Sequence, residues 1–185
     1  MICLTSVNEF KTETSSEKLD RLIAQAAAGD TEALGLLYDA TNVSVYGFVL
    51  SILKNTQDAE DVLQDCYVSI YSSGAGYRSE GKPMAWIMGI ARNLSLYKLR
   101  ERKKTADLPQ EDWESGLVFG SGLNAEDRLV LTECMNRLSD EERQIVMLHA
   151  VSGFKHREIA AILELSLPAV LSKYNRALKK LRKYL

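Results

Sequence analysis

The sequence predicts an all-α protein: two small helical domains joined by a flexible acidic linker, the C-terminal one a helix-turn-helix. Three observations predict it. Apolar residues recur three and four apart along most of the chain, and no stretch alternates with the period of a strand. Residues 105–124 break that rhythm with Pro109, three glycines, four acidic residues and no basic one, as a linker does. The closing residues hold a short helix, a tight turn and a capped second helix.

The elements follow in order. Residues 1–17 form an N-terminal extension with no basic start and long apolar stretch, so they do not form a secretory leader. The first domain, 18–104, opens with Leu19, Leu22, Ile23 and Ala26 at helical spacing, and Gly29 stops that helix. Asp30 is an N-cap for a helix from Thr31, whose apolar face holds Leu34, Leu37, Tyr38, Val45, Phe48, Val49, Ile52 and Leu53. The run from Val43 to Leu53 either continues that helix or forms another. Thr56 caps the next one, to about Tyr71, with Ala59, Val62, Leu63, Cys66, Tyr67 and Ile70 inward. Small residues make Ser72 to Lys82 a loop, and Pro83 suits the first turn of a helix that buries Trp86, Ile87, Ile90, Ala91 and Leu94. That helix ends in the basic run Lys98 to Lys104.

The second domain, 125–185, begins with a helix from Ala125 to Arg137. Ser139 with Glu142 forms a capping box for a helix containing Ile145, Val146 and Leu148, ended by Ser152-Gly153. A short helix buries Ile159, Ala160, Ile162 and Leu163. Ser166 caps the last helix, with Pro168 in its first turn and Val170, Tyr174, Ala177 and Leu181 as one stripe.

Charge is distributed less evenly than the net value of −2 suggests. Acidic against basic residues number 11 to 4 in 1–70, 2 to 8 in 71–105, 10 to 2 in 106–142 and 2 to 9 in 143–185. Two basic segments between acidic ones point to two separate contacts with a polyanion. Cys3, Cys66 and Cys134 are widely spaced, and only His149 and His156 could join them, so no metal site is expected. There is no phosphate-binding glycine loop and no nucleophile motif, so neither catalytic residues nor a cofactor are expected. No uninterrupted apolar run approaches the roughly 20 residues of a membrane span. The chain is therefore expected in the cytoplasm, without membrane insertion.

In a helix-turn-helix the second helix enters the major groove while the first crosses the backbone. With Val170, Tyr174 and Ala177 inward, Ala169, Ser172, Lys173, Asn175, Arg176 and Lys180 face outward, and Arg157 lies on the first helix. Lys173 and Arg176 suit phosphate or guanine; Ser172 and Asn175 offer neutral hydrogen bonds. In the first domain Asp58, Asp61 and Asp65 line one side of a helix, a repulsive ridge that a basic partner would relieve. Tyr77 and Arg78 precede the helix of Trp86, and aromatic rings beside cations suit unstacked bases. Trp86 itself, on the inward stripe, belongs to the core.

Four stretches resemble the extracytoplasmic-function (group IV) sigma factors of bacterial RNA polymerase, in the sigma-70 family. They are DAEDVLQD at 58–65, PMAWIMGIARNLSLYKLRERKK at 83–104, LSDEERQIVMLHAVSGFKHREIAAIL at 138–163 and LSLPAVLSKYNRALKKLRKYL at 165–185. The resemblance spans about residues 18–185 and implies an initiation subunit that recognises and melts promoters, with core RNA polymerase, promoter DNA and an anti-sigma protein as partners. It implies that Asp58, Glu60, Asp61, Gln64 and Asp65 bind the clamp helices of the polymerase. Tyr77, Arg78, Lys82, Arg92, Asn93, Arg100 and Lys103 would serve the −10 element. Arg157, Ser172, Lys173, Asn175, Arg176 and Lys180 would serve the −35 element. The linker would pass near the polymerase active site.

The chain also departs from the family. Tyr97 stands where Asp is frequent, and the last helix begins Leu167, Pro168, Ala169, Val170, Leu171 instead of with the usual Gly, Thr and Lys. Lys173 replaces a planar Arg fork with a point charge. The −35 sequence read, or the reliance placed on it, should differ accordingly. A regulator using only its helix-turn-helix, or a helical protein-binding adaptor, would share parts of this pattern without binding polymerase.

Overall fold

The computed structural model describes residues 15–73, 76–78, 81–105 and 132–183. Within them run α1 (Ser15–Ala27), α2 (Thr31–Leu53), α3 (Thr56–Ser73), α4 (Pro83–Thr105), α5 (Asp140–Ala150), α6 (His156–Leu163) and α7 (Leu167–Leu181). A further helical segment occupies 132–136, and no described residue lies in a strand. The expected extension before residue 15, almost all of the linker and the helix start near Ala125 lie outside the described residues.

Local chemistry explains the boundaries. Gly29, at φ 95°, closes α1, and the Asp30 carboxylate accepts from the backbone N–H of Glu32 and Ala33 at 2.9 and 3.0 Å. α2 then runs unbroken to Leu53, so the segment from Val43 continues it. Its mid-helix Thr41 is satisfied by the Leu37 carbonyl and the Tyr67 hydroxyl, both at 2.7 Å. At the start of α3 the cap is one residue earlier than expected. Asn55, not Thr56, accepts from the N–H of Asp58 at 2.9 Å, because its amide oxygen reaches a donor three residues on while Thr56 is already helical.

α2 is the central element, packed by α1, α3, α4 and α5. Phe48, Leu37 and Leu50 on it, Ile23, Ile70, Ile87 and Met88 around it, are fully buried. Each such side chain contributes about 1.5–3 kcal/mol relative to exposure. Two expectations are corrected here. Although polar residues interrupt it, α2 is long and apolar enough on average to cross a membrane; its mean hydropathy reflects burial inside the protein instead. The inward face of α4 is also rotated: Ile87, Met88, Ala91 and Ser95 are buried, whereas Trp86 and Ile90 are only partly so. Ser95 tolerates burial by donating to the Ala91 carbonyl at 2.7 Å.

In the second half Ser139 and Glu142 form the expected capping box. Arg143, which the sequence did not single out, is 3% exposed. Its guanidinium donates to the Met135 and Leu138 carbonyls at 3.2 and 3.0 Å and meets Asp140 at 3.1 Å, tying the end of segment 132–136 to α5. α6 ends at Glu164 in the left-handed region, φ 57°, and the Leu165 N–H returns to the Ala160 carbonyl at 2.9 Å. Ser166 caps α7 through the Ala169 N–H, with Pro168 in the first turn. The halves touch: α5 packs on α2 and α6 on α4, with Lys54–Asp140 and Arg92–Glu164 ion pairs, both at 3.1 Å.

Candidate nucleic-acid interface

α4 separates its two jobs by helical phase. At about 100° per residue, Ala85, Trp86, Gly89, Asn93, Leu96, Arg100 and Lys103 fall within an arc of roughly 100°, with Arg92 at its edge. The buried Ile87, Met88, Ala91 and Ser95 lie opposite. Asn93, Arg100 and Lys103 are exposed, as the sequence predicted. At the N-terminal end of this stripe a cleft of about 400 Å³ is lined by Gly76, Tyr77, Arg78, Lys82, Ala85 and Trp86. The Tyr77 and Trp86 rings sit 4.6 Å apart at 51°, and the Tyr77 hydroxyl donates to Asp20 on α1, which fixes the ring. Trp86 is therefore a wall of the cleft as much as a core residue. Arg78 and Lys82 are exposed beside it. Flat rings flanked by cations can stack a base and neutralise its phosphate.

The basic end of α4 is divided. Lys98 meets Asp58 at 3.2 Å and Asp61 at 3.1 Å, and Arg102 pairs with Asp58 while donating to the Leu53 carbonyl at 3.3 Å. These cations face α3 and hold the bundle together; Arg100 and Lys103 face away. The acidic ridge is divided in turn. Asp58 is 15% exposed and internally paired, and Asp61 shares Lys98. Glu60, Gln64 and Asp65 remain exposed. Glu60 and Gln64 line a groove of about 360 Å³ with Tyr38, Asn42, Val43 and Tyr46 of α2, and Tyr38 and Val43 are exposed apolar residues. Sequence reasoning missed that apolar half because it placed Tyr38 on the inward face and drew no site from α2.

On α7, Val170 and Ala177 are buried, and Tyr174 is half-buried with its ring edge against His149 and His156. Ser172, Asn175 and Arg176 are exposed, and Arg157 is exposed on α6. Lys173 and Lys180, seven residues apart, turn towards α5: Lys173 pairs with Glu141, and Lys180 meets Glu142 at 2.6 Å. Arg176 lies 3.7 Å from Glu142. Burial alone would raise the Glu142 carboxyl, but Lys180, the Ser139 backbone and Arg176 outweigh it and hold it below its ordinary range. Lys179 and Lys183, which are not among the residues the sequence predicts for this face, are exposed on the same side as Ser172 and Asn175. Their signal was the spacing 172, 175, 176, 179, 183.

Comparisons with known proteins agree with this arrangement. The family model for sigma-70 region 2 matches residues 37–105, and that for sigma-70 region 4 matches 128–181. Among relatives, the ECF RNA polymerase sigma factors SigK of Mycobacterium ulcerans (strain Agy99) and Mycobacterium tuberculosis (strain ATCC 25618 / H37Rv) are each 27% identical over 174 residues. Those alignments cover 90% of this chain and 93% of the relative. Among solved structures, CnrH in complex with the cytosolic domain of CnrY has a TM-score of 0.65 at 24% identity, over 90% of this chain and 96% of that one. The sigma factor RpoE of Bartonella quintana, in complex with the anti-sigma factor NepR, has a TM-score of 0.66 at 20% identity, over 81% and 96%. The structural likenesses establish the fold. A regulator relying on its helix-turn-helix alone would leave the region 2 match unexplained. With both regions matched in order and full-length relatives aligned across nine tenths of its residues, this chain belongs to the extracytoplasmic-function group of the sigma-70 family of RNA polymerase sigma factors.

Proposed function

We propose that the chain works as the promoter-reading subunit of RNA polymerase with three separate surfaces and no chemistry of its own. Residues 18–104 act as the −10 and polymerase-binding domain, 105–124 as the linker and 125–185 as the −35 domain. The observation that carries the reading is the single stripe on α4, which joins the Tyr77–Trp86 cleft to Asn93, Arg100 and Lys103 while its opposite side is core. A displaced strand fits such a surface: one base in the cleft, stacked for about 1–3 kcal/mol, and the phosphates along the cations.

Polymerase docking is assigned to Glu60, Gln64 and Asp65 with the adjoining groove, and Asp58 and Asp61 serve it by fixing α3 on α4. On α7, Ser172, Asn175 and Arg176 face the −35 duplex directly, and Lys173, Lys180 and Arg157 supply phosphate contacts from its flanks. Leu171, 41% exposed where the family usually has a polar residue, supports a −35 contact that is partly apolar. The relatives' complexes with CnrY and NepR support an anti-sigma partner here, and the likeness to RNA polymerase sigma factors supports a cytoplasmic site of action. Run-off transcription with purified core polymerase over a genomic promoter library tests the assignment. Start-site-selective transcripts sharing a two-part consensus are expected; core polymerase that stays unselective with the chain added would overturn it.

A further inference from the structure

The two halves meet in a way that their separate tasks do not require. α6 packs on α4, and a crevice between them is lined by Gly89, Arg92 and Asn93 on one side and Ala161, Ile162 and Glu164 on the other. Ala85 belongs both to this crevice and to the aromatic cleft, so the crevice continues the same stripe. A strand leaving the cleft along α4 meets α6 about one helical turn later. Arg92 is engaged there: its side chain is 18% exposed, donates to the Leu163 carbonyl at 3.3 Å and pairs with Glu164.

Backbone geometry makes a second, independent observation. Among the described residues, Lys54 (φ 54°) and Glu164 (φ 57°) are the two non-glycine residues in the left-handed region. Each ends a helix, at a position where glycine fits without the steric cost that a side chain incurs. Those same two side chains make the ion pairs between the halves, Lys54 with Asp140 and Glu164 with Arg92. The ends of the elements favour this meeting too, because the C-terminus of α2 faces the N-terminus of α5 with opposite partial charges.

We infer that the uncomplexed chain partly occludes itself: α6 stands against the strand-binding stripe of α4 at Gly89, Arg92 and Asn93, and Lys54–Asp140 with Arg92–Glu164 form the latch that single-stranded DNA must open. The inference rests on the reading of α4 as the strand-binding face. Phosphates compete with Glu164 for Arg92, so strand binding and opening are linked: whatever opens the latch raises strand affinity, and the strand itself drives opening.

Glycine at the two strained positions provides the test. In the full chain, K54G with E164G removes both side chains while relieving the backbone, and neither residue is assigned a DNA contact. Helicity by circular dichroism should be retained and the radius of gyration from small-angle scattering should rise. Affinity for a short fluorescein-labelled polythymidine strand should increase roughly two- to tenfold, the range for two partly exposed ion pairs. The milder pair Asp140→Asn with Glu164→Gln, which keeps side chains at both turns, should move both readouts the same way by less. Unchanged compactness in both variants, or expansion with a measurable but unaltered affinity, would overturn the latch. Expansion with no strand binding by any form, wild type included, would instead overturn the strand-binding face on which the latch depends.

Discussion

Glu142 is a single carboxylate shared by the two ends of the helix-turn-helix unit. It accepts from the Ser139 N–H at 3.0 Å as half of the capping box, and it also holds Lys180 and Arg176 of α7. Glu142→Gln is expected to destabilise the chain by about 1–3 kcal/mol in urea denaturation at pH 7. Its native pKa is lowered, so its contribution is present above the ordinary carboxylate range and is lost as the pH falls through the native value. The gap between wild type and variant should therefore close in acid; a gap independent of pH would refute the ionic account. His156 acts in the opposite direction chemically. Burial and the neighbouring His149, 4.6 Å away, both depress its pKa, and its Nε2 is buried without a hydrogen-bond partner. As the pH drops below about 6.5 the unfolded chain takes up that proton first, and stability falls until the native value is passed. His156→Phe, which keeps the ring contact with Tyr174, should lose less stability than wild type between pH 7.5 and 5.5. Residues of this kind were hard to foresee. The capping box was legible because it is local, whereas Arg143 and the bonds from α7 to Glu142 join positions that only the folded turn brings together.

At the scale of elements, α4 shows why its phase could not be taken from sequence. It carries Trp86, Ile87, Met88, Ile90, Leu94, Leu96 and Leu99 on several sides, so more than one stripe satisfies helical periodicity, and the actual one includes Met88 and Ser95. α7, with one unbroken apolar row, left no such choice and was placed correctly. Gly89 tests the division of α4. A Cβ there would meet nothing within 4 Å, so Gly89→Ala should stabilise the helix by about 1 kcal/mol. The methyl would also stand on the strand-facing stripe, so the same variant should melt higher yet bind the −10 strand more weakly. A gain in both would remove backbone approach from the account. α3 offers a comparable separation. Asp58→Ala, which removes the carboxylate shared by Arg102 and Lys98, is expected to cost about 2 kcal/mol in chemical denaturation. Gln64→Arg, on the exposed groove, should leave stability unchanged and reduce core polymerase binding in a pull-down. If the two variants behaved alike, the ridge would not have the two roles assigned to it.

For the whole molecule, the division proposed at 105–124 lies almost wholly outside the described residues, while the alternation of acidic and basic blocks was readable in the sequence. What the blocks meet was not. One third of the cations expected to face DNA are engaged inside the fold, Arg92 with Glu164, Lys173 with Glu141 and Lys180 with Glu142, because folding brings an acidic residue of another element within reach of each. Promoter affinity should still fall linearly in log–log form with salt, because each phosphate neutralised releases counterions. The slope of the uncomplexed chain should be shallower than the number of its exposed cations implies, since salt also loosens the internal pairs that compete with DNA. A fluorescence titration over several salt concentrations measures this, and a full-strength slope would show that the internal pairs do not compete.

The length and apolarity of α2 bear on how the chain is made. Its 23 residues leave the ribosome before α3 and α4, the helices that enclose it, have emerged. For that interval the nascent polypeptide presents a greasy segment of membrane-crossing length, the feature by which targeting factors and chaperones select their clients. A pause in translation while α2 has emerged and α3 and α4 are still inside the ribosome would prolong the exposure and divert the product to a lipid surface or a holdase, so the timing of synthesis belongs among the conditions under which this fold is reached.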